Sequence, residues 1–175
     1  MLLVITGPIA SGKSTLARAV AHDFELRGRQ AAAVDLDLTY EMLDPVRAPK
    51  TDQAKWTQAR GIAARLAAAL VEDGVAVVAE GEFLTPADRA EFTEALPSGI
   101  EPRFVTLRLS YELALQRARD DPTRGLSRDP VFLRSHYEAT TQAVRDAPPT
   151  DLAIDTGEIG IAEAVRVVAE WSRLA

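Results

Sequence analysis

Residues Gly7 to Thr15 read GPIASGKST, a Gly-x-x-x-x-Gly-Lys-Ser spacing that follows the apolar run Leu2 to Ile5. Glycines so placed let successive backbone N–H groups turn inward around an oxyanion, and a helix beginning there adds its positive end. On this reading Gly7, Pro8, Ile9, Ala10, Ser11 and Gly12 form the turn around a nucleoside triphosphate. Lys13 reaches the β- and γ-phosphates, the Ser14 hydroxyl ligates magnesium, and Thr15 continues the helix start. A plain glycine turn with an exposed lysine would need neither hydroxyl there, although serine is also an ordinary capping residue.

A second cluster of chemistry lies in AVDLDLTY, where Asp35 and Asp37 are two apart. If the strand persists through them, both side chains point to one side. In phosphoryl transfer the acceptor hydroxyl needs a carboxylate to orient it and take its proton, while cations gather on the γ-phosphoryl. Asp37 is the candidate base and Asp35 the candidate magnesium partner, and the roles are exchangeable; the alternative is a pair of solvated turn residues. Arg117, Arg124 and Arg128 lie on the last turn of a helix and in the loop DPTRGLSRDP after it. An arginine on a mobile loop can close over the γ-phosphate, spread its charge and exclude water. That places a lid at about 118–132, against the alternative of ordinary ion pairs with Asp120, Asp121 and Asp129.

These groups need a scaffold that brings distant loops to one edge. The chain of 175 residues, 47% hydrophobic, is long enough for one substantial core and is read as a single domain, 1–175. Apolar runs at 2–6, 30–37, 75–81, 103–109 and 151–155 alternate with helical patterns at 13–28, 53–74, 86–96, 111–121, 131–146 and 159–174. Thr85 with Pro86 and, later, Ser110 mark helix starts. Strands that are apolar throughout, alternating with helices, predict a parallel sheet covered on both faces, a three-layer α/β fold. In such sheets ligands collect at the carboxyl ends of the strands, which here carry Gly7 to Thr15, Asp35 to Asp37, Glu80 to Glu82, Arg108 to Ser110 and Asp155 to Gly157.

Composition narrows the chemistry further. A net charge of −6 and a pI near 5.0 argue against nucleic acid as a partner. With no cysteine and only His22 and His136, no zinc pattern exists, so a metal here is a hard one held by oxygen. No signal peptide or membrane span is read, and the expected location is cytoplasmic. The chain contains no asparagine, which removes the Asn-Lys-x-Asp guanine-reading motif. A motor or AAA-type ATPase would end an apolar strand in Asp-Glu, whereas VAVVAEGE ends in Glu-Gly-Glu and the chain is short for such a module.

The loop GPIASGKST, the DLD about twenty residues after the helix that follows the loop begins, and the arginine-bearing segment together resemble the P-loop small-molecule kinases. Among these are shikimate kinase, adenylyl-sulfate kinase, chloramphenicol phosphotransferase and the zeta-toxin kinases. The resemblance implies a P-loop NTPase fold with sheet order 2-3-1-4-5, a short lid, and transfer from ATP, with Mg2+, to a hydroxyl of a small molecule. It makes Arg117 the neighbour of the adenine and Arg124, or alternatively Arg128, the phosphate-binding lid arginine. Arg60, Glu80 and Gly81 then fall where the acceptor binds, and Thr156 and Gly157 where the adenine rests. GEF departs from the glycine run of shikimate kinases, and Gly81 stands where deoxynucleoside kinases carry an arginine. Trp56 and Tyr40 could stack on a ring or pack in the core. Acceptor identity and the choice between monomer and homodimer stay open, as does a nucleotide-binding regulator or ATPase without an acceptor, or a nucleotide-sugar kinase.

Overall fold

Five apolar runs become five parallel strands in the computed structural model of the chain, which describes every residue except 45, 47–49, 149–150 and 174–175. The strands β1 (Leu2–Thr6), β2 (Ala31–Asp35), β3 (Ala76–Gly81), β4 (Pro102–Arg108) and β5 (Leu152–Asp155) form one sheet in the order β2-β3-β1-β4-β5. The central strands β1 and β3 are buried at every residue, as both-faced coverage requires. Helices α1 (Lys13–Leu26) and α7 (Ile161–Arg173) close one face through Leu16, Val20, Ala164 and Val168. On the other face lie α3 (Gln53–Glu72), whose Ala59, Ala63 and Ala67 let it approach closely, and α4 (Pro86–Thr93). Among the described residues no helix is long and apolar enough to cross a membrane.

A third apolar cluster sits above the strand ends. It joins Ala10 and Ile9 to α5 (Tyr111–Asp120) and α6 (Pro130–Arg145) through Ala114, Ala118, Leu133 and Tyr137. The segment between those helices holds a 3₁₀ turn, Leu126–Arg128. Thr85 caps α4 with a reciprocal bond to Asp88 and with Pro86 in the first turn, and Ser110 caps α5 by accepting from Leu113 N–H. Below the site, Arg89 of α4 donates to both carboxylate oxygens of Asp151 at 3.0 and 2.8 Å and to Thr106 Oγ1 at 3.1 Å. Its guanidinium also covers the Phe104 ring at 4.3 Å, fixing α4 on the sheet.

One prediction fails in type. The run 30–37 is strand only to Asp35, after which the chain turns into a helix absent from the sequence reading, α2 (Leu36–Met42). Asp35 causes the switch: its side chain accepts from Asp37 N–H at 2.8 Å and Leu38 N–H at 3.3 Å, capping α2. Asp35 and Asp37 therefore do not share one strand face. Helix α4 stops at Thr93 instead of 96, and α7 starts at Ile161 instead of 159 because Glu158 and Ile159 N–H close a turn on Asp155 O. Residue 174, the predicted end of α7, lies outside the described residues.

Candidate functional site

The phosphate loop is built by backbone constraints on its own residues. Gly7 lets the loop pass β4, since a Cβ there would lie 2.8 Å from Leu107 Cβ and from Ser11 Oγ. Gly12 adopts φ 93° and Ala10 φ 62°, the left-handed conformation that turns peptide N–H groups inward. Gly12 also precedes α1 without any side-chain cap, leaving the helix N-terminus open to an anion. Lys13 Nζ donates to Gly7 O at 2.9 Å and Pro8 O at 3.1 Å, both neutral acceptors. Ser11 Oγ is buried and has no hydrogen-bond partner among the described residues. An ammonium satisfied only by carbonyls, a bare helix start and an orphaned hydroxyl in one cradle suit a polyphosphate.

Facing the loop, the register of β2 and β3 sets Asp35 beside Glu80. Glu80 is 3% exposed. Burial pushes its carboxyl up to about 7, opposed by the Ser14 hydroxyl and then reinforced by the negative Asp35, with Lys13 pulling weakly the other way. Ser14, Asp35 and Glu80 thus form an oxygen-only group at the start of α1. Among the described residues no set of three or more His, Cys, Asp or Glu makes a closed metal site. That donor set fits Mg2+, which keeps several waters and shares phosphate oxygens.

A cavity of about 630 Å³ is lined by Lys13 and Ser14 of the loop, by Glu80 and Glu82 beside them, and by Asp37, Lys50, Trp56 and Arg60. Asp37, in the first turn of α2, is half exposed and is held by Lys50 Nζ at 2.7 Å. Arg60 is buried, with Nη2 2.7 Å from Asp88 and Nη1 2.8 Å from Glu91 of α4. Gly81 is absent from this lining: a Cβ on it would lie 2.7 Å from Leu36 Cβ, so it is the gap through which α2 crosses β3. Tyr40 is core, its ring 4.3 Å from that of Trp56, while Trp56 itself reaches the cavity wall and donates to Lys50 O at 3.1 Å.

Behind the loop a smaller cleft of about 290 Å³ lies between Thr15, Leu16, Arg117, Arg124 and Thr156. Arg117 donates to Thr156 Oγ1 at 3.1 Å and Thr156 O at 2.6 Å, and the Thr156 hydroxyl donates to Ser11 O at 2.9 Å. Gly157 lies outside this lining; its N–H donates to Asp155 Oδ1 at 2.8 Å, and a Cβ on it would lie 2.8 Å from Leu113. Arg124 lines both cavities, with Nε 3.2 Å from Asp121 but not in hydrogen-bond geometry. Arg128, on the 3₁₀ turn, is exposed and lines neither.

Sequence reasoning missed His136 and Tyr137. Ile9 N–H donates to His136 Nε2 at 3.2 Å, and Tyr137 O–H donates to Ile9 O at 2.9 Å, so α6 holds both backbone groups of one residue of the phosphate loop. Burial holds the imidazole below its usual pKa, opposed by Glu82, whose carboxylate is 3.5 Å away. Burial pushes the Tyr137 hydroxyl up. No local pattern marks such a pair, which joins positions 127 and 128 residues apart.

The chain matches, over residues 2–146, the family described as AAA domain. Comparison with curated proteins gives no match. Its fold is similar to that of a gluconokinase from Sinorhizobium meliloti 1021, at 22% identity and TM-score 0.68, covering 99% of this chain and 93% of that one. It is also similar to the APS kinase of Mycobacterium tuberculosis in complex with AMPPNP and APS, at 20% identity and TM-score 0.71, covering 97% and 95%. A shikimate kinase from Bacteroides thetaiotaomicron gives 17% identity and TM-score 0.67, covering 99% and 98%. The family match covers the phosphate loop and the first four strands of the sheet.

Proposed function

The chain belongs to the AAA domain family, and within it we propose that this protein is a kinase that transfers the γ-phosphoryl of ATP, with Mg2+, to a hydroxyl of a small molecule. The observation that carries the reading is a single cavity lined both by the phosphate loop and by Asp37 and Arg60. A site serving hydrolysis alone needs room for one water; this one is about 630 Å³ and has a polar lining beyond the loop. The kinase names of the fold's relatives support the same reading.

Asp37 accepts the proton of the acceptor hydroxyl as its oxygen bonds to the γ-phosphorus and the bond from that phosphorus to the β,γ-bridging oxygen breaks. Lys50, 2.7 Å from Asp37, holds that carboxylate in place. Lys13 exchanges the carbonyls of Gly7 and Pro8 for phosphate oxygens, a stronger charge-assisted pairing. Ser14 would ligate Mg2+, and Asp35 and Glu80 would hold its waters; the ion, when bound, neutralises charge between the β- and γ-phosphates. Arg124, between the two cavities, serves as the lid cation of segment 118–132, and Arg117 with Thr156 flanks the base.

The test is ATP turnover with a panel of hydroxyl compounds, paired with nucleotide binding. Asp37→Asn should abolish transfer while leaving ATP affinity nearly intact, and Lys13→Ala should impair both. ATP hydrolysis that no acceptor stimulates, and that Asp37→Asn leaves unchanged, would refute the reading in favour of an ATPase or nucleotide-dependent regulator.

A further inference from the structure

Two peptides of the phosphate loop are pinned by neighbouring residues of α6. Ile9 N–H donates to His136 Nε2 at 3.2 Å, and Ile9 O accepts from Tyr137 O–H at 2.9 Å. These backbone groups belong to different peptide planes: the N–H to the Pro8–Ile9 peptide, the C=O to the Ile9–Ala10 peptide. Both peptides are trans, and in a planar trans peptide the C=O and the N–H point in opposite directions. A bond at one end of such a plane therefore aims the group at the other end.

His136, on the N–H end of the first plane, aims the Pro8 carbonyl. That carbonyl accepts from Lys13 Nζ at 3.1 Å and from Ser11 N–H at 3.3 Å, so it places the ammonium and closes the turn of the loop. Tyr137, on the C=O end of the second plane, aims the Ala10 N–H away from its own hydroxyl. Ala10 is buried, and its N–H has no hydrogen-bond partner among the described residues, which a peptide group in a folded chain rarely tolerates without a ligand or water. Ala10 lines both the larger cavity at Lys13 and Ser14 and the smaller cleft at Arg117 and Thr156. It stands at the junction that a chain of phosphates joining the two would cross.

The same residue is strained. Its φ of 62° lies in the left-handed region, and among the described residues it is the one non-glycine there. Without support, the Ile9–Ala10 peptide would rotate toward an ordinary φ and carry the Ala10 N–H with it. The bond from Tyr137 opposes that rotation. The ring that delivers the hydroxyl is itself fixed, buried with Ala114, Ala118 and Leu133 and 6.0 Å from the ring of Tyr111.

We propose that His136 and Tyr137 are positioning residues for the donor phosphates. Tyr137 holds the Ala10 N–H in the strained orientation from which it donates to a phosphate oxygen, and His136 holds the Pro8 carbonyl from which Lys13 passes to the same phosphates. The proposal rests on the phosphate-loop part of the reading above and is independent of what the acceptor is.

The test is calorimetric binding of three probes to the folded protein: a non-hydrolysable ATP analogue with Mg2+, tripolyphosphate with Mg2+, and adenosine. Tyr137→Phe keeps the ring and removes only the hydroxyl. It should weaken both polyphosphate probes roughly three- to ten-fold, as the loss of one hydrogen bond does, and leave adenosine within about two-fold. His136→Phe should act in the same way, and His136→Gln, whose amide oxygen can accept the Ile9 N–H, should recover most of the loss. In an Ala10→Gly background, where the left-handed φ carries no Cβ penalty, Tyr137→Phe should weaken the polyphosphates by less than about two-fold. The proposal is overturned if adenosine weakens as much as the polyphosphates, if polyphosphate affinity is unchanged in Tyr137→Phe, if His136→Gln binds no better than His136→Phe, or if the glycine background leaves the tyrosine effect undiminished. A wild-type protein that binds neither polyphosphate probe would overturn the proposal and the nucleotide reading together. Affinities that move as stated, with no phosphate transfer to any acceptor, would refute the kinase reading and leave the proposal standing.

Discussion

Glu80 is a carboxylate the fold holds at its own expense, and Glu80→Gln measures that expense. In the unfolded chain its pKa is the ordinary 4.5, and in the folded protein burial pushes it up to about 7. A carboxyl raised in the folded state contributes nothing unfavourable below its unfolded value, because both states are then protonated. As pH rises through 4.5 the unfolded chain releases its proton first, and stability falls until the folded carboxyl also ionises above 7. The full loss is about 2–3 kcal/mol at pH 8, allowing for the proton being shared with Asp35. Glutamine keeps the shape and can accept from Ser14 and donate to Asp35, without a charge to desolvate. In urea denaturation of the metal- and nucleotide-free protein, Glu80→Gln should match the wild type to within about 0.5 kcal/mol at pH 4.5. At pH 8 it should be more stable by about 2–3 kcal/mol, a rise of roughly 4–12 °C in Tm. Taking the difference between the two proteins at each pH removes all other titrating groups. A difference that is flat in pH, or a variant less stable at pH 8, would refute the claim that Glu80 is a desolvated carboxyl. The same variant should lose most phosphate transfer, which would place Glu80 among groups retained for function against stability.

The Arg89 network should behave as a buried pair. Arg89→Met leaves the Asp151 carboxylate, 4% exposed, without its guanidinium, and should cost about 3–5 kcal/mol by urea denaturation; adding Asp151→Leu should recover most of that loss. The grip of α6 on Ile9 is tested by His136→Phe, which removes the acceptor of the Ile9 N–H and should cost about 1–2 kcal/mol, while His136→Gln, whose amide oxygen can accept, should restore most of it. Equal losses in both His136 variants would mean that packing, not that hydrogen bond, is what the helix contributes.

What could be read from the sequence was what contiguous residues build. The phosphate loop was legible because the glycines, Lys13 and Ser14 that define it are contiguous, whereas the left-handed φ of Ala10 was not. The caps at Thr85 and Ser110 are equally local. The strand runs were legible because the sheet is covered on both faces and its central strands β1 and β3 are buried at every residue, but the same criterion carried β2 too far. Leu36 and Tyr40 are apolar, buried and four apart, a helical spacing that begins at a capping Asp35. In a run so short, a strand's alternation and a helix's first turn look alike, and the side chain of Asp35 decides between them.

The acceptor side of the cavity was illegible for a different reason: its chemistry is set by which charges are already spent. From the sequence, Arg60 is a cation on a helix, placed where the resemblance puts the acceptor. In the fold, α4 brings Asp88 and Glu91 onto its two terminal nitrogens, which converts a lone cation into a twice-paired one. Lys50 undergoes the same conversion when Asp37 and Glu41, on a helix the sequence did not reveal, close on it. Which cations are left to meet a ligand is therefore read only after packing has paired the rest: among the described residues that line the cavity, Lys13 is bonded to carbonyls alone and Arg124 Nε, 3.2 Å from Asp121, makes no hydrogen bond.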